Sequence, residues 1–493
     1  MPIVSITCHG AHPARQRGRV SAASRWAALA SWVVIGQLPG CHAILPLGSS
    51  EHDGTTSSTD ALKGEGGVSL DGAAGSTCKF HLVGNDARVA FCESFAVQSG
   101  DGGRSGDLDP SVWSVSRRSS INNVGQGLLN FWPTATVEGC GATSPSPPPK
   151  DVRVCNGRLH EASNDGGSMT ILALSLLQPF DWANRTGTVV FDVTADTVGT
   201  LGAWPMVWLT EQQAPAPFGR QLGSGDAPDI RNGLGVELAG TSCQGDASKV
   251  GVSSIFVSRN YVSQMAQLSK LGCVAKATGT GALNHFELRI SQSRVEVWGT
   301  DPGADNLAQL AVADGLDLPL TRGLLHFEDV HNAAAKNPDP SHTDHTLVWD
   351  NIGFDGPKVA GNAVFEVPDA GDSRSSEGLP GTNLGHEVTA SAVAFATKAV
   401  AWDQPPEGAV VGFNWFPTDK AVPSVRVNGG KWQATPWPFD AMTYCWRAIT
   451  VPVPMSDVVQ GAQQIQLQYT GAQPSTVVSN VSLVLLGASK VAD

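Results

Sequence analysis

Gly202-Ala203-Trp204-Pro205-Met206-Val207-Trp208-Leu209 is the stretch whose reading decides the fold. It is an apolar run with two tryptophans four residues apart. Pro205, just inside it, points to an edge or bulged strand rather than a helix interior. Phe191-Asp192-Val193 before it has the look of a half-strand. The run reads as a strand on the concave face of a large β-sandwich, where indoles either fill a core or stack on a ligand ring.

Working outward, length and composition agree with that reading. At 493 residues the chain exceeds what one hydrophobic core organises, so two folded domains and a leader are expected. It holds 55 Gly and 31 Pro, and only 16% of its residues are charged, the make-up of a turn-rich all-β protein. The formal net charge is −13 and no block of Lys and Arg stands out in the folded part, which argues against a nucleic-acid partner.

The first residues read as an export signal. Arg15, Arg17, Arg19 and Arg25 precede a short apolar run over 26–38, too short to span a bilayer comfortably. Leu38-Pro39-Gly40-Cys41 follows and resembles a bacterial lipobox, in which Cys41 becomes the lipidated N-terminus. Plain secretion with cleavage nearby is the alternative. The expectation is an exported protein of the cell envelope or extracellular space, touching a membrane only through an N-terminal lipid. Residues 42–77, rich in Gly, Ser and Thr, read as a tether. Nine cysteines fit an oxidising compartment. Beyond Cys8 and Cys41, their order suggests Cys78 with Cys92, Cys140 with Cys155, and Cys243 with Cys273, leaving Cys445. Connectivity stays open at this level.

Phe91-Cys92-Glu93-Ser94-Phe95 reads as an opening strand, and strands then recur at short intervals, among them 188–193, 234–238, 254–257, 285–290 and 294–298, the last close to a period of two. Residues 261–271 are the one stretch that reads as a helix. The first domain is placed at 78–357, closing on Trp349-Asp350-Asn351-Ile352-Gly353-Phe354 and then Gly356-Pro357. A second, smaller sandwich is placed at 358–493.

The run from Gly202 to Leu209 resembles the strand that carries Gly-x-Trp-Pro-Ala-x-Trp in laminarinase-like family 16 glycoside hydrolases, of the concanavalin A-like lectin/glucanase superfamily. Gly187-Thr188-Val189-Val190-Phe191-Asp192-Val193 is similar to their preceding strand, and Trp349 to Phe354 to their last. The resemblance covers residues 78–357 and implies a jelly roll of two antiparallel sheets. It also marks a loss. Those enzymes are retaining and take a nucleophile and an acid/base from one strand, as Glu-x-Asp-x-x-Glu. The corresponding segment here is Asn232-Gly233-Leu234-Gly235-Val236-Glu237-Leu238-Ala239-Gly240. One register puts Leu234, Val236 and Ala239 on the acidic positions; the other puts Glu237 on the middle one, with Gly235 and Gly240 outside. Neither leaves a pair, and one carboxylate cannot be nucleophile and proton donor in the same step.

Other acids could stand in. Glu211, Asp226 and Asp229 lie in the loop between the two strands, where a solvated polar loop is the plainer reading. A hydrolase or lyase would need relocated carboxylates, such as Glu211 with Glu237 or Glu328. His326-Phe327-Glu328-Asp329-Val330-His331, with His342, Asp344 and His345 beyond it, reads as a polar rim over the sheet rather than a transition-metal site. On a strand, His326 and Glu328 share one face and Asp329 takes the other. The resemblance also implies one structural Ca²⁺, with Asp350 and Glu93 as candidate ligands; Asp350 capping a turn is the alternative. No other cofactor is expected. In the second domain, Trp432 and Trp437 sit near Gly429-Gly430 and prolines and are the candidates for exposed platforms, while Trp415 and Trp446 read as core.

These readings combine into an all-β protein, a concanavalin A-like jelly roll followed by a smaller carbohydrate-binding-module-like sandwich. It is expected to hold a polysaccharide or glycan, without catalysis, through Trp204, Trp208, Glu237, His326, Glu328, His331, Trp432 and Trp437. A hydrolase or lyase with relocated acids, and a structural or adhesive protein with no glycan ligand, are the alternatives.

Overall fold

The structure is a computed structural model that describes residues 78, 88–97, 100, 104–119, 122–123, 128–131, 152–163, 169–194, 203–211, 230–239, 243–244, 246–277, 282–332, 345–367, 382–383, 385–402, 404–417, 419–437 and 447–488. The leader with Cys41, the tether, Cys140, Asp226, Asp229, Gly240, His342, Asp344, Cys445 and Trp446 lie outside the described residues. Trp204, His331 and His345 are described in backbone only.

The fold is all-β, with two antiparallel sheets of nine strands in the first sandwich. Ala203–Thr210 sits mid-sheet in one of them, the tryptophan sheet. That sheet runs Val262–Met265, Lys249–Arg259, Asn232–Ala239, Ala203–Thr210, Arg322–Asn332, Met169–Leu176, Trp113–Ser119, with Cys273–Ala275 added onto Lys249–Arg259 and Phe180–Asp181 onto Arg322–Asn332. The closing sheet runs Leu268–Leu271, Ala308–Asp314, Arg294–Gly299, Asn284–Ile290, Gly187–Val193, His345–Asp355, Arg158–Ser163, Val152–Cys155, with Val89–Glu93 added onto His345–Asp355.

Alternation sorts the side chains. Val207 and Leu209 point between the sheets and join Val189, Phe191, Val193, Phe327 and Trp349 in the first core; Met206 and Trp208 point the other way. Aromatic rings fill the centre of that core, with Phe191 stacked on Phe286 at 5.6 Å and Phe327 edge-on to Trp349 at 5.5 Å. Trp349 Nε1 donates to Glu161 Oε2 at 2.6 Å, so the indole brings no unmet donor inside.

Three expectations change. The Trp204–Trp208 strand is central, not an edge. Pro205 is tolerated because the ladder to Asn232–Ala239 runs from Met206↔Glu237 to Thr210↔Gly233 and leaves Pro205 out, next to a bulge at Glu237/Leu238. Residues 261–271 form two strands instead of a helix. Asn260 and Tyr261 both take positive φ, 47° and 66°, which closes a two-residue hairpin, and the chain then crosses from one sheet to the other before Leu268. The opening strand ends at Glu93, because Phe95 turns to φ 50° and donates its N–H to Glu93 Oε1 at 2.8 Å. Cys78–Cys92 and Cys243–Cys273 are disulfides. Cys155 is disulfide-bonded as well.

The second sandwich encloses its own core of Val411, Phe413, Trp415, Val425, Ile465, Leu467 and Leu483. One side is a five-stranded sheet: Ala363–Glu366, Ser475–Leu486, Gly408–Phe416 and Arg447–Val453, with Gly385–Thr389 added. The other is a four-stranded sheet: Val393–Ala396, Gln464–Gln468, Ser424–Val427, Gln433–Ala434. The expected boundary at 357/358 is bridged. Leu128–Phe131 pairs with Thr382–Asn383, and Arg104 Nε meets Glu366 Oε1 at 3.1 Å, with Ser105 and Ser114 hydroxyls also donating to that carboxylate.

Candidate functional site

The outer face of the tryptophan sheet was the expected site. Register places its side chains in rows across the strands. One row is Ser114, Ser175, His326, Trp208, Gly235, Phe256; the next is Ser116, Ala173, Glu328, Met206, Glu237, Ser254. Glu237 and Glu328 therefore share a face and flank Met206, with backbones two strand spacings apart, about 9.6 Å. Two carboxylates do stand in one row, but on different strands. The sequence named Glu237 and Glu328 as candidate acids, each beside Glu211; that the two stand in one row with each other depends on register. Glu211 is not part of it. It lies past Thr210, about 17 Å along the strand from Met206, and is held by Arg231 at 2.6 Å and Asn232 at 2.8 Å.

Register sorts the residues of 232–239 by face. Leu234, Val236, Leu238 and Ala239 lie in the first core, so Gly235 and Glu237 are the outward pair. At Gly235 no side chain fits. A Cβ there would lie 2.3, 2.5 and 2.6 Å from Trp208 Cζ3, Cη2 and Cε3. The indole lies flat on its own sheet and fills the space that a side chain at 235 would need.

The face is covered as well. Trp208 and Glu328 have no exposed surface and Glu237 has 1%. Ala448, from the edge strand of the second sandwich, packs with Met206, Trp208, Phe256, Ile171 and Val330 in one apolar cluster. Trp437, expected as an exposed platform, belongs to this seam. It meets Tyr261 of the first sandwich at 5.2 Å and Trp415 of the second core at 6.2 Å, with the Arg447 guanidinium 5.4 Å from its ring. His326 is a satisfied interior histidine. Its Nδ1 pairs with Ser175 Oγ at 2.8 Å and its Nε2 with Thr210 Oγ1 at 3.0 Å, and burial pushes its pKa down to about 3, so the ring is neutral. Asp329 faces the opposite way, as the alternation requires, and is buried.

The outer face of the four-stranded sheet is open. Val425, Val427, Ile465, Leu467 and Phe395 point inward, and the residues between them point out. Arg426 stands opposite Gln466, and Gln466 opposite Ala394. The Arg426 guanidinium lies 4.4 Å from the centre of the Trp432 ring, and its Nε donates to Gln466 Oε1 at 2.7 Å. Trp432, Arg426 and Gln466 are each half-buried and Ala394 is exposed. The row Trp432, Arg426, Gln466, Ala394 thus gives an aromatic wall, a planar polar floor and a low shelf.

No protein-family model matches the chain, and no curated protein matches it. Solved structures similar to it include LamAcat from Zobellia galactanivorans, at 14% identity and TM-score 0.32, covering 54% of this chain and 96% of that one. SCLam, a non-specific endo-β-1,3(4)-glucanase from family GH16, is 12% identical with TM-score 0.33, covering 56% and 93%. Carbohydrate-binding module CBM66 from Bacillus subtilis is 12% identical with TM-score 0.23, covering 40% and 86%. At such scores the likeness decides nothing about function.

The calcium expectation meets a poor fit. Glu93 Oε1 already accepts the Phe95 N–H, and Asp350 Oδ1 accepts the Asn351 N–H, with Arg158 at 3.8 Å from Oδ2. Among the described residues, no three or more His, Cys, Asp or Glu side chains converge on a cation position. Burial, with the charges of Asp192 and Glu93, outweighs the Asn351 N–H and Arg158 and raises the Asp350 pKa to about 6. A feature that sequence reasoning missed lies beside it. His285 Nδ1 meets Asp192 Oδ1 at 2.7 Å and Nε2 faces Glu287 Oε1 at 3.6 Å. Burial alone would lower the His285 pKa, but the two carboxylates hold it at about 9. No spacing in the sequence marks this trio; it comes from the pairing of Asn284–Ile290 with Gly187–Val193.

Proposed function

We propose that the protein is an exported, non-catalytic glycan-binding protein, held at the cell envelope by lipid on Cys41, and that its ligand face is the outer face of the small four-stranded sheet. The observation that carries this reading is the outward-facing row Trp432, Arg426, Gln466, Ala394, its first three members half-buried and the last exposed. A sugar ring presents an apolar C–H face to an indole and hydroxyls to planar amide and guanidinium groups. An indole held on one face by a guanidinium keeps its other face for the sugar. The test is affinity electrophoresis of the full chain in gels containing soluble polysaccharides. Retention is expected, and Trp432→Ala should weaken it roughly five- to thirtyfold, as expected for about 1–2 kcal/mol of stacking. Retention by no glycan would favour the adhesive reading, which the covered tryptophan sheet already suits. Cys41→Ser should move the protein from the detergent phase to the aqueous phase.

The hydrolase reading keeps one observation in its favour, the Glu237 and Glu328 row on either side of Met206. Reducing ends released from laminarin, agar or mixed-linkage glucan, and lost in Glu237→Gln, would establish it.

A further inference from the structure

The polar groups left over on the Arg426 and Gln466 pair are all donors. An arginine has no acceptor, so the Gln466 atom facing Arg426 Nε is the carbonyl oxygen, and the Gln466 NH₂ remains to donate. Both terminal nitrogens of Arg426 also remain. Among the described residues no carboxylate pairs with Arg426, whereas Arg185, Arg231, Arg259 and Arg294 each have one. Gln468 Nε2, one residue pair along, is already used by Ala390 O at 2.8 Å. Lys431 is exposed next to Trp432. A cation laid on an indole and braced through its Nε presents its two NH₂ groups as a fixed fork, the geometry that matches a carboxylate or a sulfate.

We infer that the row Trp432, Arg426, Gln466 recognises an anionic polysaccharide, through a carboxylate or sulfate ester seated on the Arg426 fork and the Gln466 amide while the sugar ring lies along Trp432. The inference rests on the glycan-binding reading and names its ligand class. A protein of net charge −13 repels a polyanion at long range. Recognition is therefore local, and salt near 0.15 M, with a screening length of about 8 Å, removes most of the repulsion.

The experiment uses the full chain in about 0.15 M salt and pairs each anionic polymer with its neutralised form: polygalacturonate with carboxyl-reduced polygalacturonate, and carrageenan with desulfated carrageenan. Laminarin is the neutral control. One anionic polymer should bind at least tenfold tighter than its neutralised form, and which one does so tells a carboxylate ligand from a sulfate. Arg426→Gln should erase that ratio. Arg426→Lys, which keeps the charge and loses the fork, should reduce it. The ratio within one variant is insensitive to the fraction folded. Equal binding of native and neutralised polymers, a ratio that survives Arg426→Gln, or binding of laminarin alone would overturn the inference and leave glycan binding standing. Binding of none of the polymers would overturn both.

Discussion

Gly235→Ala tests whether the missing acid position is closed or merely vacant. The added methyl would sit 2.3–2.6 Å from three carbons of the Trp208 six-membered ring, about 1 Å inside ordinary contact. The ring has nowhere to retreat. It has no exposed surface, stacks on Phe256 at 6.2 Å, and shares its cluster with Met206 and Ala448. Overpacking of a filled interior costs about 1–3 kcal/mol, and a clash against a rigid indole belongs at the top of that range, about 3 kcal/mol. Urea unfolding of the full chain reads it as a lower midpoint. Trp208→Leu by itself leaves a cavity and costs about 3 kcal/mol. In the double variant the methyl partly fills that cavity, so the combined loss should fall short of the sum by about 1 kcal/mol or more. A Gly235→Ala chain within about 0.5 kcal/mol of wild type would refute the reasoning. The indole would then be free to lift.

His285 makes stability depend on alkaline pH. Its folded pKa of about 9 lies above the ordinary 6.5, so its contribution is complete below about pH 6.5 and is lost as pH rises through 9; the shift corresponds to about 3 kcal/mol, and His285→Gln should flatten that part of the pH–stability curve. Asp350 is the opposite kind of group. Its pKa is raised from 3.8 to about 6, so stability falls as pH rises from about 4 to 6 and stays lowered above that, and Asp350→Asn should stabilise the chain at pH 7.5, by about 1 kcal/mol after solvent screening. Millimolar Ca²⁺ should leave the unfolding midpoint unchanged, and a rise that Asp350→Asn abolished would show that the acids hold the ion. Glu366→Ala leaves the buried Arg104 without its 3.1 Å partner, which should cost about 3–5 kcal/mol and speed proteolysis between the sandwiches.

Much of the architecture was legible because strands in sandwiches announce themselves by period. Val425, Val427, Ile465 and Leu467 alternate with polar residues and all point inward. The two tryptophans of 204–208 marked a strand correctly. What that strand faces was not legible. The indoles that suggested a sugar trough are equally what an interface needs, and only Ala448, some 240 residues later in the chain, shows which applies. The helix expected over 261–271 failed on local chemistry. Asn260 marks a turn, but nothing in the sequence says that Tyr261 also takes positive φ, and that is what makes the hairpin. The Glu237 and Glu328 row and the His285 trio depend on cross-strand register, which periodicity leaves open.

The two tryptophan sites separate on one physical criterion, what holds the ring. Trp208 is held by its own backbone. Gly235 lets it lie flat against the sheet, which uses one ring face, and the cluster with Phe256 and Ala448 uses the rest. Met206, Phe256, Ile171 and Val330 around it form an apolar patch among the polar residues of that face, and Ala448 covers it. Trp432 is held by Arg426, whose guanidinium stays partly hydrated and has donors to spare. Covering that ring with protein would bury a cation with no carboxylate to meet it, at a cost of several kcal/mol. An anion in the covering group offsets part of that cost by pairing with the guanidinium. The first sheet is closed by its own chain at Ala448, and the proposed anionic ligand is what the donors on the second would meet.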